Sequence, residues 1–224
     1  MTPNGRPHKI FVASKRFSTS HCSKLEDHPL KYSVHSRLRL YHLKRMLPCV
    51  EKRNFLDVGC GLGYLSESLS DGYFSVGIDR DLNGLKANLK RGLQHMIQSS
   101  AKTMPFRENS FDVILCSEVL EHLPDGEDER ALHEMARILR PGGLILITVP
   151  SLEGLRATSI LRNLGHNDPS GGEYHYRMGY SWNDVEALLR KIPSLRIFRR
   201  KYSMFLISEL FMDLLKWVYL KKNK

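Results

Sequence analysis

Residues 54–80 read NFLDVGCGLGYLSESLSDGYFSVGIDR, and this stretch decides the fold. NFLDVG is a short apolar strand ending in Asp57 and Gly59. GYLSESLSDG reads as a helix closed by Gly72, and YFSVGID as a second strand ending at Asp79. Strand, glycine-rich turn, helix and strand in that order make a βαβ unit with parallel strands. In such folds ligands sit beyond the carboxyl ends of the strands. The turn Asp57-Val58-Gly59-Cys60-Gly61-Leu62-Gly63 spaces its glycines G-x-G-x-G, not the G-x-G-x-x-G of dinucleotide sites. Glycines permit a tight turn and close approach of a ligand to the main chain. The helix that follows presents free N–H groups to that ligand. Asp79 lies 20 residues beyond Gly59, where a carboxylate can accept from two ribose hydroxyls. Taken alone, turn and carboxylate also fit an ordinary tight β–α turn with a surface aspartate.

Downstream the alternation continues. LNGLKANLKRG is a helix closed by Gly92, and QHMIQSS is a weak third strand. SFDVILCSE is a fourth strand, apolar throughout its centre as expected when both sheet faces are covered. DERALHEMARILRPGG is a helix with Leu132, Met135, Ile138 and Leu139 on one face and a Pro-Gly-Gly stop. LILITVP is a fifth strand, WNDVEALLRKI a helix and LRIFRRK a sixth strand; Tyr202–Ile207 is a candidate seventh. Upstream, residues 1–50 lack a clean strand pattern. KYSVHSRLRLYHLKRMLPCV reads as a helix, with Tyr32, Val34, Leu38, Tyr41, Leu43 and Leu47 as a loose apolar stripe. The fold class is α/β, a doubly wound, mostly parallel sheet of seven-stranded type. Three parts are expected: a basic helical segment 1–50, a domain 51–203, and an apolar, basic-flanked helix 204–224.

The 224 residues suit one such domain with short appendages. At 42% hydrophobic and 26% charged, the chain is not of the disordered class. No apolar run reaches the ~20 residues that span a bilayer, and MTPNGRPHKIFVASKRF has no apolar leader region. Four cysteines without a C-x-x-C pair give no zinc-ribbon or thioredoxin-like motif and point to a reducing cytoplasm. The net charge of +10 is uneven: +8 over residues 1–50, −5 over 51–185 and +7 over 186–224. Basic ends favour an anionic partner, nucleic acid or a lipid surface, or serve solubility. His21, His28, His35 and His42 recur every seven residues, but Pro29 breaks the helix that would align them.

FLDVGCGLG, VGID, MPFRENSFDVILCSEVLEHLPD and LRPGGLILITVP together resemble the class I S-adenosylmethionine-dependent methyltransferases, type 11, over roughly residues 45–150. The resemblance implies a Rossmann-like methyltransferase fold and S-adenosylmethionine as cofactor. It implies that Asp57 and the turn of Gly59, Cys60, Gly61 and Gly63 hold the methionine part. It gives Asp79 the ribose, with Arg80 beside adenine. The stretch from Ser100 and Ala101 to Phe106 would border adenine; the family usually has Asp where Ser100 stands, and a hydroxyl accepts more weakly than a carboxylate. Ser117 and Glu118 would line the methyl-transfer side.

At that side His122 is the candidate base or substrate contact, with a pocket wall as its other reading. Glu118, Glu121 and His122 fall at i, i+3 and i+4, so a helical turn would align them. The string is similar to the metal-binding stretch of ubiquinone-pathway O-methyltransferases, although no metal is assigned. Cys116 is inside an apolar strand without a preceding proline, unlike a cytosine-methylating nucleophile. The fourth strand also lacks the Asn/Asp-Pro-Pro-aromatic signature of nucleic-acid amino-methylating enzymes, which disfavours a nucleic-acid partner.

Residues 151–180 read as a long loop after the fifth strand, where active-site covers are common. His175, Tyr176, Arg177 and Tyr180 are candidate substrate contacts. Met204–Leu220 holds 13 apolar residues in 17, with arginines and lysines on both flanks. Such a segment suits an anionic membrane interface, packing on the sheet edge, or dimerisation. The leading expectation is a methyltransferase for a small or lipid-linked acceptor at a membrane. An RNA methyltransferase and a non-catalytic binding module are the alternatives.

Overall fold

The computed structural model of the protein describes residues 8–12, 34–47, 53–69, 72–151, 176, 177 and 179–200. Strand β1 (His8–Val12) and helix α1 (Val34–Lys44) precede β2 (Arg53–Val58), α2 (Tyr64–Leu69) and β3 (Tyr73–Asp79). Helix α3 (Leu82–Lys90), β4 (Met96–Gln98) and β5 (Phe111–Ser117) follow. A 3-10 turn (Leu120–His122) leads to α4 (Glu127–Ile138), β6 (Leu139–Thr148), α5 (Trp182–Arg190) and β7 (Leu195–Arg200). The strands form one sheet in the order β4-β3-β2-β5-β6-β1-β7, and every pair is parallel. Strand order reverses between β2 and β5, which opens a crevice at their carboxyl ends.

Alternate residues of the central strands feed two cores. Leu56, Ile114, Cys116, Ile145 and Ile147 pack with Leu132, Met135 and Ile138 of α4 and Val185 and Leu189 of α5. Phe55, Val113, Leu115 and Leu146 face the other way, against Leu40, Leu43 and Met46 of the α1 region and Leu69 of α2. Burial on both faces explains why these strands are continuously apolar rather than alternating.

Three readings change. The residues 1–50 do contribute a strand: β1 fills the slot between β6 and β7, with Ile10 opposite both Ile145 and Ile197. Its five residues, HKIFV, are too short to stand out from their polar surroundings. The candidate seventh strand Tyr202–Ile207 and the segment 204–224 lie outside the described residues. Pro-Gly-Gly does not stop α4. The helix ends at Ile138, Leu139 opens β6 opposite Phe111, and Leu144 is already opposite Val113. The intervening residues, with Gly142 at φ +80°, form a bulge in β6. On α1 the packed face is centred on Leu40 and Leu43, with His42 buried there too; His21 and His28 lie outside the described residues. Among the described residues no helix is long and apolar enough to cross a membrane.

Leu43, 1% exposed, tests the docking of α1. Leu43→Ala should lower the free energy of unfolding by about 2–5 kcal/mol in urea titration. A loss below about 0.5 kcal/mol would mean that α1 does not seal this face.

Candidate functional site

The glycine turn is bound to the neighbouring strand. The N–H groups of Gly59 and Cys60 donate to Ile78 O at 2.8 and 3.0 Å. Gly61 N–H donates to Asp79 Oδ2 at 2.7 Å, and Asp81 N–H to Asp79 Oδ1 at 2.8 Å. Both oxygens of Asp79 are thus oriented by backbone donors and keep further lone pairs for a ligand. Gly59, Gly61 and Gly63 have φ of +68°, +49° and +65°, a region that side chains rarely adopt. Space matters at two of them. A Cβ on Gly59 would lie 2.4 Å from Val119, and one on Gly63 would lie 2.8 Å from Asn88. Gly61 faces open space.

Asn88, from α3, was not anticipated. Fully buried, it donates to Gly61 O at 2.9 Å and so fixes the turn from below. Asp81 caps the same helix by accepting from Asn83 and Gly84 N–H. A Cβ on Gly84 would crowd Gly61 O, at 3.1 Å. A polar residue one turn from Leu85 on the packed face of α3 was the available signal.

Asp57 lies under the turn, 2% exposed. Its Oδ2 accepts from the Ser66 hydroxyl of α2 at 2.5 Å. Burial, aided by the nearby Asp79 charge and opposed by the Ser66 hydrogen bond, pushes its carboxyl up to about 7. So buried a group shapes the floor and charge of the turn more than it offers a reachable face. Cys60 and Cys116 are buried free thiols that burial holds well above the usual range. At 0% exposure, Cys116 has no access as a nucleophile.

Ser99 N–H donates to the Asp79 carbonyl at 2.9 Å, which brings Ser100 and Ala101 to the end of β3. Ser100 Oγ accepts from Lys102 N–H at 3.4 Å, and Ala101 is buried. Arg80 is exposed at the strand end, its carbonyl accepting from Gln98. This border is held from α4. Met104 N–H donates to Glu134 at 3.0 Å, and Arg137 donates to Phe106 O at 2.9 Å and Met104 O at 3.3 Å. The Arg137 guanidinium holds Glu134 below the usual carboxylate range.

At the end of β5 the Ser117 and Thr148 hydroxyls meet at 2.8 Å. Glu118 has φ +56°, unusual for a non-glycine residue. Its Oε1 accepts from the Thr148 hydroxyl at 2.8 Å and its Oε2 faces Arg39 of α1 at 3.3 Å. The chain then turns so that Val119 covers Gly59 and His122, half-buried, follows on the 3-10 turn. Glu118 therefore does not share a helical face with Glu121 and His122, and Glu121 is buried. Among the described residues no three His, Cys, Asp or Glu side chains converge as a metal site.

The substrate-side candidates separate. His175 lies outside the described residues. Tyr176 is 54% exposed, and its N–H and that of Arg177 donate to Glu121 O. Arg177 is engaged by Asp125 at 2.6 Å, reaches Asp128 at 3.9 Å and lies over the Tyr180 ring. Tyr180 is not a substrate contact. It is 2% exposed, and its hydroxyl lies 3.0 Å from Leu120 O and 3.1 Å from Asp128 Oδ2. Burial beside Asp128 pushes that hydroxyl up. An aromatic residue in a Gly-rich stretch resembles a loop contact in sequence, and only packing reveals a buried latch.

A parallel sheet with a glycine turn on one strand and an aspartate on the next defines a nucleoside-binding crevice. Residues 56–147 match the family described as "Methyltransferase domain". The chain is 30% identical over 118 residues to the ubiquinone biosynthesis O-methyltransferase of Bordetella avium, covering 50% of this chain and 48% of that protein. It is 29% identical over 169 residues to the demethylmenaquinone methyltransferase of Corynebacterium urealyticum, covering 70% and 72%. Among solved structures, a SAM-dependent methyltransferase from Methanosarcina mazei superposes with a TM-score of 0.51 at 26% identity, covering 67% of this chain and 82% of that one. The chain is thus similar to the methyltransferase domain, over residues 56–147, and to a SAM-dependent methyltransferase of this fold. It spans about half the length of the first of these relatives. The residues fit the cofactor that the family implies: an oriented carboxylate for a diol, and a turn opening on space at Gly61.

Asp57 gives a pH signature. Its native pKa lies above the unfolded value near 4, so the ionised form destabilises the fold. That cost is complete above pH 7 and is relieved as pH falls from 7 towards 4. Asp57→Asn should stabilise the ligand-free protein at pH 8 by up to about 4 kcal/mol. It should also flatten the urea midpoint between pH 4 and 8, and an unaltered pH profile would assign the titration to another group.

Proposed function

We propose that the protein transfers a methyl group from S-adenosylmethionine to a small acceptor, a quinone precursor or similar lipid-linked ring, at a membrane surface. The observation that carries this reading is the Gly61 N–H to Asp79 carboxylate contact of 2.7 Å, beside the end of β5. When bound, the cofactor supplies a methyl group on a sulfonium, an already activated leaving group. The protein's work is then alignment and exclusion of water. Asp79 would accept from both ribose hydroxyls, and the turn at Gly61 would admit the methionine part against the main chain. The Asp57 carboxyl below the turn, when ionised, favours a cationic occupant. Ser117, Glu118 and Val119 would stand on the acceptor side. His122 would take the proton of an acceptor hydroxyl as the new bond forms.

Several features support a small, lipid-linked acceptor. Two relatives carry quinone-pathway names. The Ser-Glu-Val-Leu ending of β5 lacks the proline-rich signature of nucleic-acid amino-methylation. The apolar Met204–Leu220 stretch with its lysine and arginine flanks suits an anionic lipid interface.

With radiolabelled cofactor, label should pass to short-tail demethylmenaquinone or to a prenylated catechol. Label entering RNA instead would overturn the acceptor class, and no S-adenosylhomocysteine binding by calorimetry would leave a non-catalytic module. Asp79→Ala should weaken that binding about 100-fold, the worth of two charge-assisted hydrogen bonds. Flotation of the full chain with anionic vesicles, but not with phosphatidylcholine alone, is expected; equal partitioning would reject the membrane surface.

A further inference from the structure

We propose that Arg39 is a positioning residue: reaching from α1, it holds Glu118 so that the end of β5 forms the wall against which the acceptor lies. The proposal rests on the methyl-transfer reading only for its acceptor readout. Glu118 has a left-handed backbone that L side chains rarely adopt. That conformation has a consequence, since it turns the chain so that Val119 seats on Gly59 and the Leu120–His122 turn begins. It must therefore be held, and three contacts do so. Glu118 N–H donates to Thr148 O at 2.9 Å, just past the last β5–β6 pair. Oε1 accepts from the Thr148 hydroxyl at 2.8 Å, a group shared with Ser117. Oε2 pairs with Arg39 at 3.3 Å.

The third contact differs in kind. Among the described residues it is the one that brings a charge to Glu118, and it comes from outside residues 56–147. Both partners are about three-quarters shielded, at 23% and 27% exposure, so the attraction is less screened than on an open surface. Arg39 precedes Leu40 and Leu43, whose packing against Phe55 and Leu115 fixes α1 on the sheet. The guanidinium is thus carried by a rigid element and aimed at the carboxyl end of β5. With both oxygens engaged, Glu118 serves as an anchor, and His122 remains the candidate for proton transfer. Asp79 ends β3, which lies across β2 from β5 in the sheet. Loss of Arg39 should therefore act on the acceptor and spare the cofactor.

The full-length protein and its Arg39→Gln and Arg39→Lys variants test this. Arg39→Gln should keep the Kd for S-adenosylhomocysteine within threefold, by calorimetry, while raising KM for a prenylated catechol about tenfold. Arg39→Lys should recover most of that loss. Amide exchange across residues 118–123 should quicken about tenfold in Arg39→Gln and not in Arg39→Lys. A parallel fall in cofactor affinity would overturn the assignment, because the pair would then support the fold as a whole. Should the wild-type protein fail to methylate the catechol, the acceptor reading falls by itself. Amide exchange then decides for Arg39, with an unchanged rate in Arg39→Gln overturning the proposal and a selective increase at constant cofactor Kd sustaining it.

Discussion

The hydrogen bond from Gly61 N–H to the Asp79 carboxylate joins the turn after β2 to the end of β3, and the rest of the site is arranged around it. It requires a left-handed glycine at the tip of the turn, a carboxylate at the end of the next strand, and parallel register between them. Register follows from Asp57 standing opposite Gly77 and Val58 opposite Ile78. The turn cannot drift, because Ile78 O takes two of its N–H groups and Asn88 takes its carbonyl. Such preorganisation means that little ordering remains when a ligand arrives.

The same arrangement carries a cost. Asp57 and Asp79 place two carboxyl groups near each other under and beside one turn, the first buried. Ser66 offsets part of this by donating to Asp57. A cationic occupant would relieve the remainder, so the site stores in the ligand-free fold a preference for positive charge. The thiols of Cys60 and Cys116 are buried nearby, that of Cys60 beside the Asn88 amide.

The surface beyond β5, the proposed acceptor side, is built on a different plan. No regular element continues from β5; a left-handed glutamate, a valine on the glycine turn and one 3-10 turn make the surface. Its shape is imposed from around it. Arg39 arrives from α1, Thr148 from β6, and Tyr180 holds the 3-10 turn through Leu120 O. The glycine turn and Asp79 are therefore intrinsic to the βαβ unit, whereas the surface beyond β5 depends on residues from α1, β6 and Tyr180.

What the sequence determined by itself is local. Strand, turn and helix alternation, the three glycines and Asp79 are spacing rules within about 25 residues, and each leaves a signature in composition and period. What tertiary structure decided is contact across long separations. The placing of β1 between β6 and β7 depends on strands more than 130 residues away, so no local pattern encodes it. Asn88 under Gly61 and Arg39 against Glu118 read in sequence as ordinary helix residues, one polar and one basic. Tyr180 read as a loop aromatic until Leu120 and Asp128 enclosed it. The physical reason is common to all four: a side chain's role is set by the partner that packing brings to it, and the chain order names the residue without naming that partner.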